Sequence, residues 1–486
     1  MFWETTPMAN PEHLQQLRSG RWADWRAANR VIAPDLIEAD LAGLDLRSLD
    51  LAKAHLRGAN LSGTRLDGAN LSHASLEASI LTGASFRDAV LDNVHFDFLD
   101  LSNLDLSGAS LQGASFRGAN LSRTNLRRAD LTRAQLESAI FDHSDLSGAT
   151  LQGTSLRGAR FESAVLRGIR AEHAILEGVE LLNLSMEGAV LDRARADNAQ
   201  FRGSKLARAS FREANLRGAN LHSAELTEAC FDEAQCEGAS LSHADLEKAS
   251  FLRTNLSQAD LRHSSLIGAV LDGCLLAGAQ LAELDFRSPS LGRVSFATAN
   301  LRKAIFARCE LRSADFSEAN LEEADFRHAN LEGANLRGAR IAHATFRHAN
   351  LKQADLAAIQ ATGADLSGTN MILASAGGAT LIGADLRFTD AIGIDLSKAD
   401  IRWADLRNAD LTKANVGSAR IWGARVRNTK LPTNMGHMLV LLRFSQLFRG
   451  LGSRRQKARE ARERRRVQQV AELVRDREAS RKRRNL

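Results

Sequence analysis

Along most of this chain a large apolar residue returns at every fifth position. Leu36, Leu41 and Leu46 open the series, and Ile421, Val426 and Leu431 close it on the same phase. About 80 copies follow one another without an insertion or deletion. A small residue, most often Ala, stands two places before each large one, with Asp or Asn between them. Ala59-Asn60-Leu61-Ser62-Gly63, Ala129-Asp130-Leu131-Thr132-Arg133 and Ala319-Asn320-Leu321-Glu322-Glu323 are examples. Five matches neither the helical period nor strand alternation. The unit makes sense once divided. Ala and Leu, two apart, point to one side of an extended backbone, and the polar residue between them points outward. The last two residues turn a corner, where Gly is frequent, as at Gly58, Gly63 and Gly68.

Phenylalanine suggests how many sides close a coil. Phe211, Phe231 and Phe251 are 20 apart, as are Phe286, Phe306, Phe326 and Phe346, and Phe296 with Phe316. Four units per turn would stack these rings in register. About 20 coils at roughly 4.8 Å each predict a rod on the order of 95 Å long. The pattern A(D/N)LXX resembles the pentapeptide-repeat family over roughly four-fifths of the chain, from Asp35 to about Leu431. The resemblance implies an all-β solenoid, a right-handed quadrilateral parallel β-helix with Leu and Phe stacked inside. Trp22 to Asn29, followed by Pro34-Asp35-Leu36, also resembles a segment found ahead of such repeats.

The ends depart from the period. Residues 1–34 read as a helical cap: Asn10-Pro11-Glu12 is a helix start, a second short turn holds Trp22, Trp25 and Arg26, and its two tryptophans stand ready to cover the open first coil. The repeat occupies 35–432. Residues 433–452 read as a capping helix, apolar at Leu439, Leu442, Leu447 and Phe448. Residues 453–486 form a basic tail, helical or disordered. Together these give a β-helix with short N-terminal helices and a C-terminal helical extension.

Charge sharpens this division. The whole chain carries +6, yet the tail alone holds 14 Lys or Arg against 5 Asp or Glu. The repeat is therefore close to neutral, and the basic character sits in an arm with clusters at Arg464, Arg465 and Arg466 and at Arg481, Lys482, Arg483 and Arg484. Such an arm suits nucleic-acid phosphates, an anionic membrane surface or an acidic protein. No aromatic residue interleaves the clusters, which argues against base stacking there.

Departures from consensus mark the weak places. Leu takes the small position at Leu44, Leu49, Leu99, Leu104, Leu184 and Leu284, and Pro289 takes it once. The large position is small at Ala171, Ala196, Cys236, Ala361, Ala376 and Ala391, so Ala361–Ala391 should be loosely packed. The same region carries apolar residues at outward positions: Ile372, Leu373, Ile382, Phe388, Ile392, Trp403 and Trp422. An exposed apolar band of this kind meets a partner: the chain's own C-terminal segment, a second copy in a homodimer, or another protein.

Catalytic chemistry is not apparent. His243 with His263 and His328 with His348 would share columns, but no further ligand completes a metal set. His143-Ser144-Asp145 has triad residue types in an ordinary repeat. A filled solenoid core leaves no substrate cavity, and no cofactor motif is present. Cys230, Cys236, Cys274 and Cys309 include no CxxC pair, which fits a reducing, cytoplasmic setting, and Met1–Thr5 does not read as a secretory signal. The expectation is a non-enzymatic interaction or scaffold protein. One alternative is an effector held at a membrane surface by its basic arm. The family resemblance implies another, a DNA mimic that protects topoisomerases; abundant outward Arg, as at Arg57, Arg87 and Arg117, fits that poorly.

Overall fold

In the computed structural model, which describes residues 9–288 and 290–433, the repeat winds into a four-sided coil. Parallel bridges join residues 20 apart, from Asp35↔His55 to Asp410↔Lys430. One repeat shows the wiring. Leu36 donates its N–H to His55 O in the next coil (2.9 Å), and Glu38 donates to Arg57 O (2.9 Å). Asn60 donates back to Ala39 O (2.9 Å), and Ala39 closes a turn onto Leu36 O (3.1 Å). Each side is too short to be more than a bridge, so the β character lies between coils rather than along them.

The Asp or Asn preference follows from the turn. The side chain of Asn60 accepts the N–H of Ser62 (3.1 Å) and donates to Asp40 in the coil below (3.1 Å). A short carboxylate or amide is the side chain that reaches its own backbone two residues on. The numerous aspartates are thereby accounted for as turn locks.

The second corner residue is left-handed at position after position, whether or not it is glycine: Ala358 has φ 57°, Phe388 59° and Trp403 65°. Paired with the hydrogen bond that closes the turn, this is the type II arrangement. Non-glycine residues are strained there, so Ala358→Gly should raise stability by about 1 kcal/mol. A urea midpoint that falls would contradict this account of the corner.

Inside, the predicted ladders are present. Phe211, Phe231 and Phe251 stack at 4.9 and 4.8 Å, and Phe286, Phe306, Phe326 and Phe346 at 4.6 to 4.8 Å. Small polar residues beside them are satisfied by one repeated bond. The hydroxyls of Thr64, Thr124 and Thr254 donate to the carbonyls of Leu41, Leu101 and Phe231. The thiols of Cys274 and Cys309 bond Phe251 O and Phe286 O in the same relation. Burial pushes both thiols up to about 12 and raises Cys236 further, so these sulfurs are inert packing groups.

Two sequence expectations about irregularity acquire a geometry. Ala376 and Ala391 line an enclosed void of about 10 Å³ with Met371, Leu381 and Leu411, in the stretch expected to pack loosely. The run of bridges is interrupted at places that include Ile80↔Asp100, Arg160↔Glu180 and Ser265↔Asp285. Above them stand Leu99, Val179 and Leu284, each at the small position over Ser79, Ala159 or Ser264. Bulk alone does not part the coils: Ile169, Ile359 and Ile394 also stand over alanines, and the bridges Thr150↔Arg170, Arg340↔Gln360 and Ser375↔Asp395 survive. At Leu104 and Leu184 the bridges survive. Pro289 lies outside the described residues.

Two helices precede the coil, α1 (Pro11–Arg18) and α2 (Trp22–Ala28), with Asn10 capping α1 through its side chain. The segments 433–452 and 453–486, the expected helical extension and basic tail, fall outside the described residues beyond Thr433.

Candidate interaction surface

Because the interior is filled, only the outer surface is open to contact. The seven apolar candidates do not form one band. Ile372, Leu373 and Ile392 share one corner; Ile382, Trp403 and Trp422 share the diagonally opposite one; Phe388 stands on a corner between. Leu373, Phe388 and Trp422 are 58, 62 and 54% exposed, whereas Ile372, Ile382 and Ile392 are half-buried. Trp403 and Trp422 meet edge to face at 4.4 Å. Trp403 lies over Gly423 so closely that a Cβ there would fall 2.4 Å from its ring, so only glycine permits this packing.

Charged side chains are laid out by the same rule. Some arginines pair within their own repeat: Arg287, Arg327, Arg387 and Arg407 each hold the aspartate two residues earlier through Nε and Nη2. Others pair between coils, as Arg193 with Glu213 (2.9 Å) and Arg312 with Glu332 (2.9 Å). Opposite charges are therefore neighbours at many corners, and these arginines interrupt the acidic positions.

These pairs make an acid prediction. Hydrogen bonding from Arg402 and Arg287 holds Asp400 and Asp285 below the usual carboxylate range, and Lys430, with Thr412, brings Asp410 to about 2. A carboxyl with a lowered folded pKa contributes stability that is complete above its unfolded value and lost as pH falls through the folded one. The melting temperature should be flat from pH 7 to 5 and decline between about pH 4 and 2. A decline already complete at pH 5 would implicate other groups.

The histidine columns exist as geometry: His243 and His263 stack at 4.7 Å, and His328 and His348 at 5.2 Å. Among the described residues no group of three or more His, Cys, Asp or Glu is arranged to hold a metal. A cleft of about 670 Å³ opens where the Arg160↔Glu180 bridge is missing, bordered by Asp142, Glu162, Leu182 and Asn183. Arg160 crosses it to Asp142 (2.8 Å). Sequence reasoning overlooked it; Val179 stands there in a column of alanines, but so do Ile169 and Ile359, where the bridges are intact. No helix among the described residues is long and apolar enough to cross a membrane. The clusters Arg464–Arg466 and Arg481–Arg484 lie outside the described residues.

Comparison with known proteins decides the family. The model of pentapeptide repeats matches in eight copies, at 35–72, 69–108, 105–142, 129–168, 197–232, 319–357, 362–397 and 394–431, and the pentapeptide repeat region model matches 239–316. The chain belongs to the pentapeptide-repeat family. Solved pentapeptide-repeat proteins resemble it. HetL of the cyanobacterium Nostoc sp. strain PCC 7120, involved in heterocyst differentiation regulation, is 28% identical over 56% of this chain and 98% of its own (TM-score 0.19). Full-length QnrB1, a plasmid-mediated fluoroquinolone resistance protein, is 26% identical over 43% of this chain and 91% of its own (TM-score 0.20). A pentapeptide repeat protein of the Arabidopsis thaliana thylakoid lumen is 30% identical over 20% of this chain and 68% of its own (TM-score 0.14). Among curated proteins none matches.

Proposed function

We propose that this pentapeptide-repeat protein is a non-catalytic interaction scaffold that binds partners through its outer corners, with the Arg-rich segment 453–486 as a second contact. One observation carries this reading. The interior is packed with Leu, Phe and Ala, while large apolar side chains such as Leu373, Phe388 and Trp422 are displayed outward on a rigid frame. Exposed aromatics held on fixed backbone are the side chains that anchor protein interfaces. A DNA mimic needs an uninterrupted acidic face, and the alternating Arg and Glu columns argue against one. The C-terminal helical extension and the right-handed sense of the coil belong to the same reading.

The test is capture from native lysate by the full chain, by Trp403→Ala/Trp422→Ala, by Leu373→Ser/Phe388→Ser and by a chain ending at residue 452. A specific band should weaken with one corner pair or with the truncation. A set of captured proteins indifferent to every change would overturn the scaffold reading.

A further inference from the structure

One side of the rod differs from the other three in its C-terminal half. It is the side defined by the bridged column Asp285, Ile305, Asp325, Thr345, Asp365, Asp385, Asp405 and Arg425. At its following corner stand Arg287, Arg308, Arg327, Arg347, Arg387, Arg407 and Arg427. With Arg425, eight arginines face five aspartates, an excess of three positive charges before any histidine is protonated. The opposite side, over the same length, sets Asp315, Glu318, Asp355 and Asp395 against Arg337 and Lys398, an excess of two negative charges. A nearly neutral sum thus conceals a polarised rod.

The arginines are placed for a second anion. Arg287, Arg327, Arg387 and Arg407 give Nε and Nη2 to their aspartates, which fixes each guanidinium and leaves Nη1 without a hydrogen bond among the described residues. Arg347 and Arg425 reach across coils to Asp365 and Asp405. Arg308 and Arg427 are exposed and have no ion pair among the described residues. From Arg287 to Arg427 is seven coils, about 34 Å. Planar rings run beside them in the adjoining corner column: His328 and His348, stacked and exposed, then Phe388, 62% exposed, next to Arg387.

We propose that this corner binds single-stranded nucleic acid, its arginines following the phosphates and Phe388 stacking on a base. A line of cations beside exposed aromatic rings is the arrangement that holds an unpaired strand without reading its sequence. A phosphate surface alone, whether lipid or polyphosphate, leaves Phe388 without a role. The proposal rests on the reading that recognition lies on the outer corners. Its failure with an oligonucleotide would leave lysate capture untouched, so the two are separable.

The test uses the full chain and a fluorescent oligo-dT, with anisotropy measured across a salt series. The basic tail is present in every variant, so differences report the corner. Phe388→Gly suits the left-handed backbone there and should fold at least as stably; it should weaken binding roughly tenfold or more, the scale of one lost base stack. Arg387→Glu/Arg407→Glu should flatten the salt slope by about 1.4, two phosphate contacts' worth. Arg337→Glu, on the opposite side, should change little. The proposal is overturned if both corner variants bind like wild type, which would assign binding to the tail. It is equally overturned if a duplex of the same length, or polyphosphate, binds as tightly and Phe388→Gly is silent, or if anionic vesicles bind through these arginines while the oligonucleotide does not.

Discussion

Phe306→Ala lowers the stability of the rod by about 3–5 kcal/mol. The magnitude follows from what surrounds the ring. Phe306 stacks on Phe286 and Phe326 at 4.6 and 4.8 Å and meets Phe296 and Phe316 edge-on at 5.5 and 5.6 Å. It is fully buried. Removing it deletes four aromatic contacts together with its own burial. Nor can the neighbours close the space. Each ring's backbone is tied to the coils above and below, as Phe306 N–H is to Asp325 O at 2.7 Å, so Cα positions cannot move inward. The effect should therefore lie in the upper part of the range for large-to-small substitutions. Phe306→Leu, which restores the commoner ladder residue, should recover more than half of it. Urea unfolding followed by far-UV circular dichroism measures both. A loss below about 1.5 kcal/mol for the alanine variant would mean that the ladder relaxes despite its hydrogen bonds.

That ladder was legible in the sequence, because spacing by 20 in Phe286, Phe306 and Phe326 already counts the sides of the coil. The corners were less so. Gly58 and Gly63 announce a turn, but nothing in Ala358, Phe388 or Trp403 announces a left-handed backbone. The frame imposes it on whatever residue stands there. The apolar candidates stand at corners, and the 20-residue coil already put Ile372 with Ile392 and Ile382 with Trp422, yet treating all seven as one band merged three corners. Arithmetic on the 20-residue coil separates them, and the same arithmetic finds the arginine side. Net charge could not, since it sums opposite faces. The missing bridges were not legible: Leu99 and Leu284 stood out as oversized, but so did Leu104 and Leu184, whose bridges survive. At the N-terminal end the sequence pointed to Trp22 and Trp25 but not to the polar groups that complete the cap, because a lone Arg or His in a short helix carries no pattern.

Those polar groups govern the second large effect: Trp22→Ala should cost about 3–5 kcal/mol in the first coils and make the protein associate. Every coil but the first has backbone donors beneath it. In the first, one backbone N–H and several side chains of the cap take their place. Asn10 N–H donates to Asp35 O (3.1 Å), Arg18 Nη2 to Asp40 O (3.0 Å) and Trp22 Nε1 to Asp50 O (2.8 Å). Arg26 Nη2 bonds Ala52 O (3.1 Å) while its Nε holds the Asp50 carboxylate (3.0 Å). His13 Nδ1 accepts the N–H of Asp35 (2.9 Å), standing in for a missing carbonyl. The indole of Trp22, 1% exposed and 4.8 Å from that of Trp25, covers the apolar end. Trp22→Phe keeps the cover and loses one bond, so it should cost only about 1 kcal/mol. Arg26→Met keeps the stem and uncovers carbonyls, and should cost about 2 kcal/mol. The alanine variant should differ from Phe306→Ala in kind. It frees a sheet edge, so hydrogen exchange should quicken in the coil from Asp35 to Ala54, and light scattering should detect end-to-end assembly that grows with concentration. Equal exchange and a monodisperse sample would show that the first coil needs no cover. Association by the Phe306 variant alone would place the vulnerable edge in the middle of the rod.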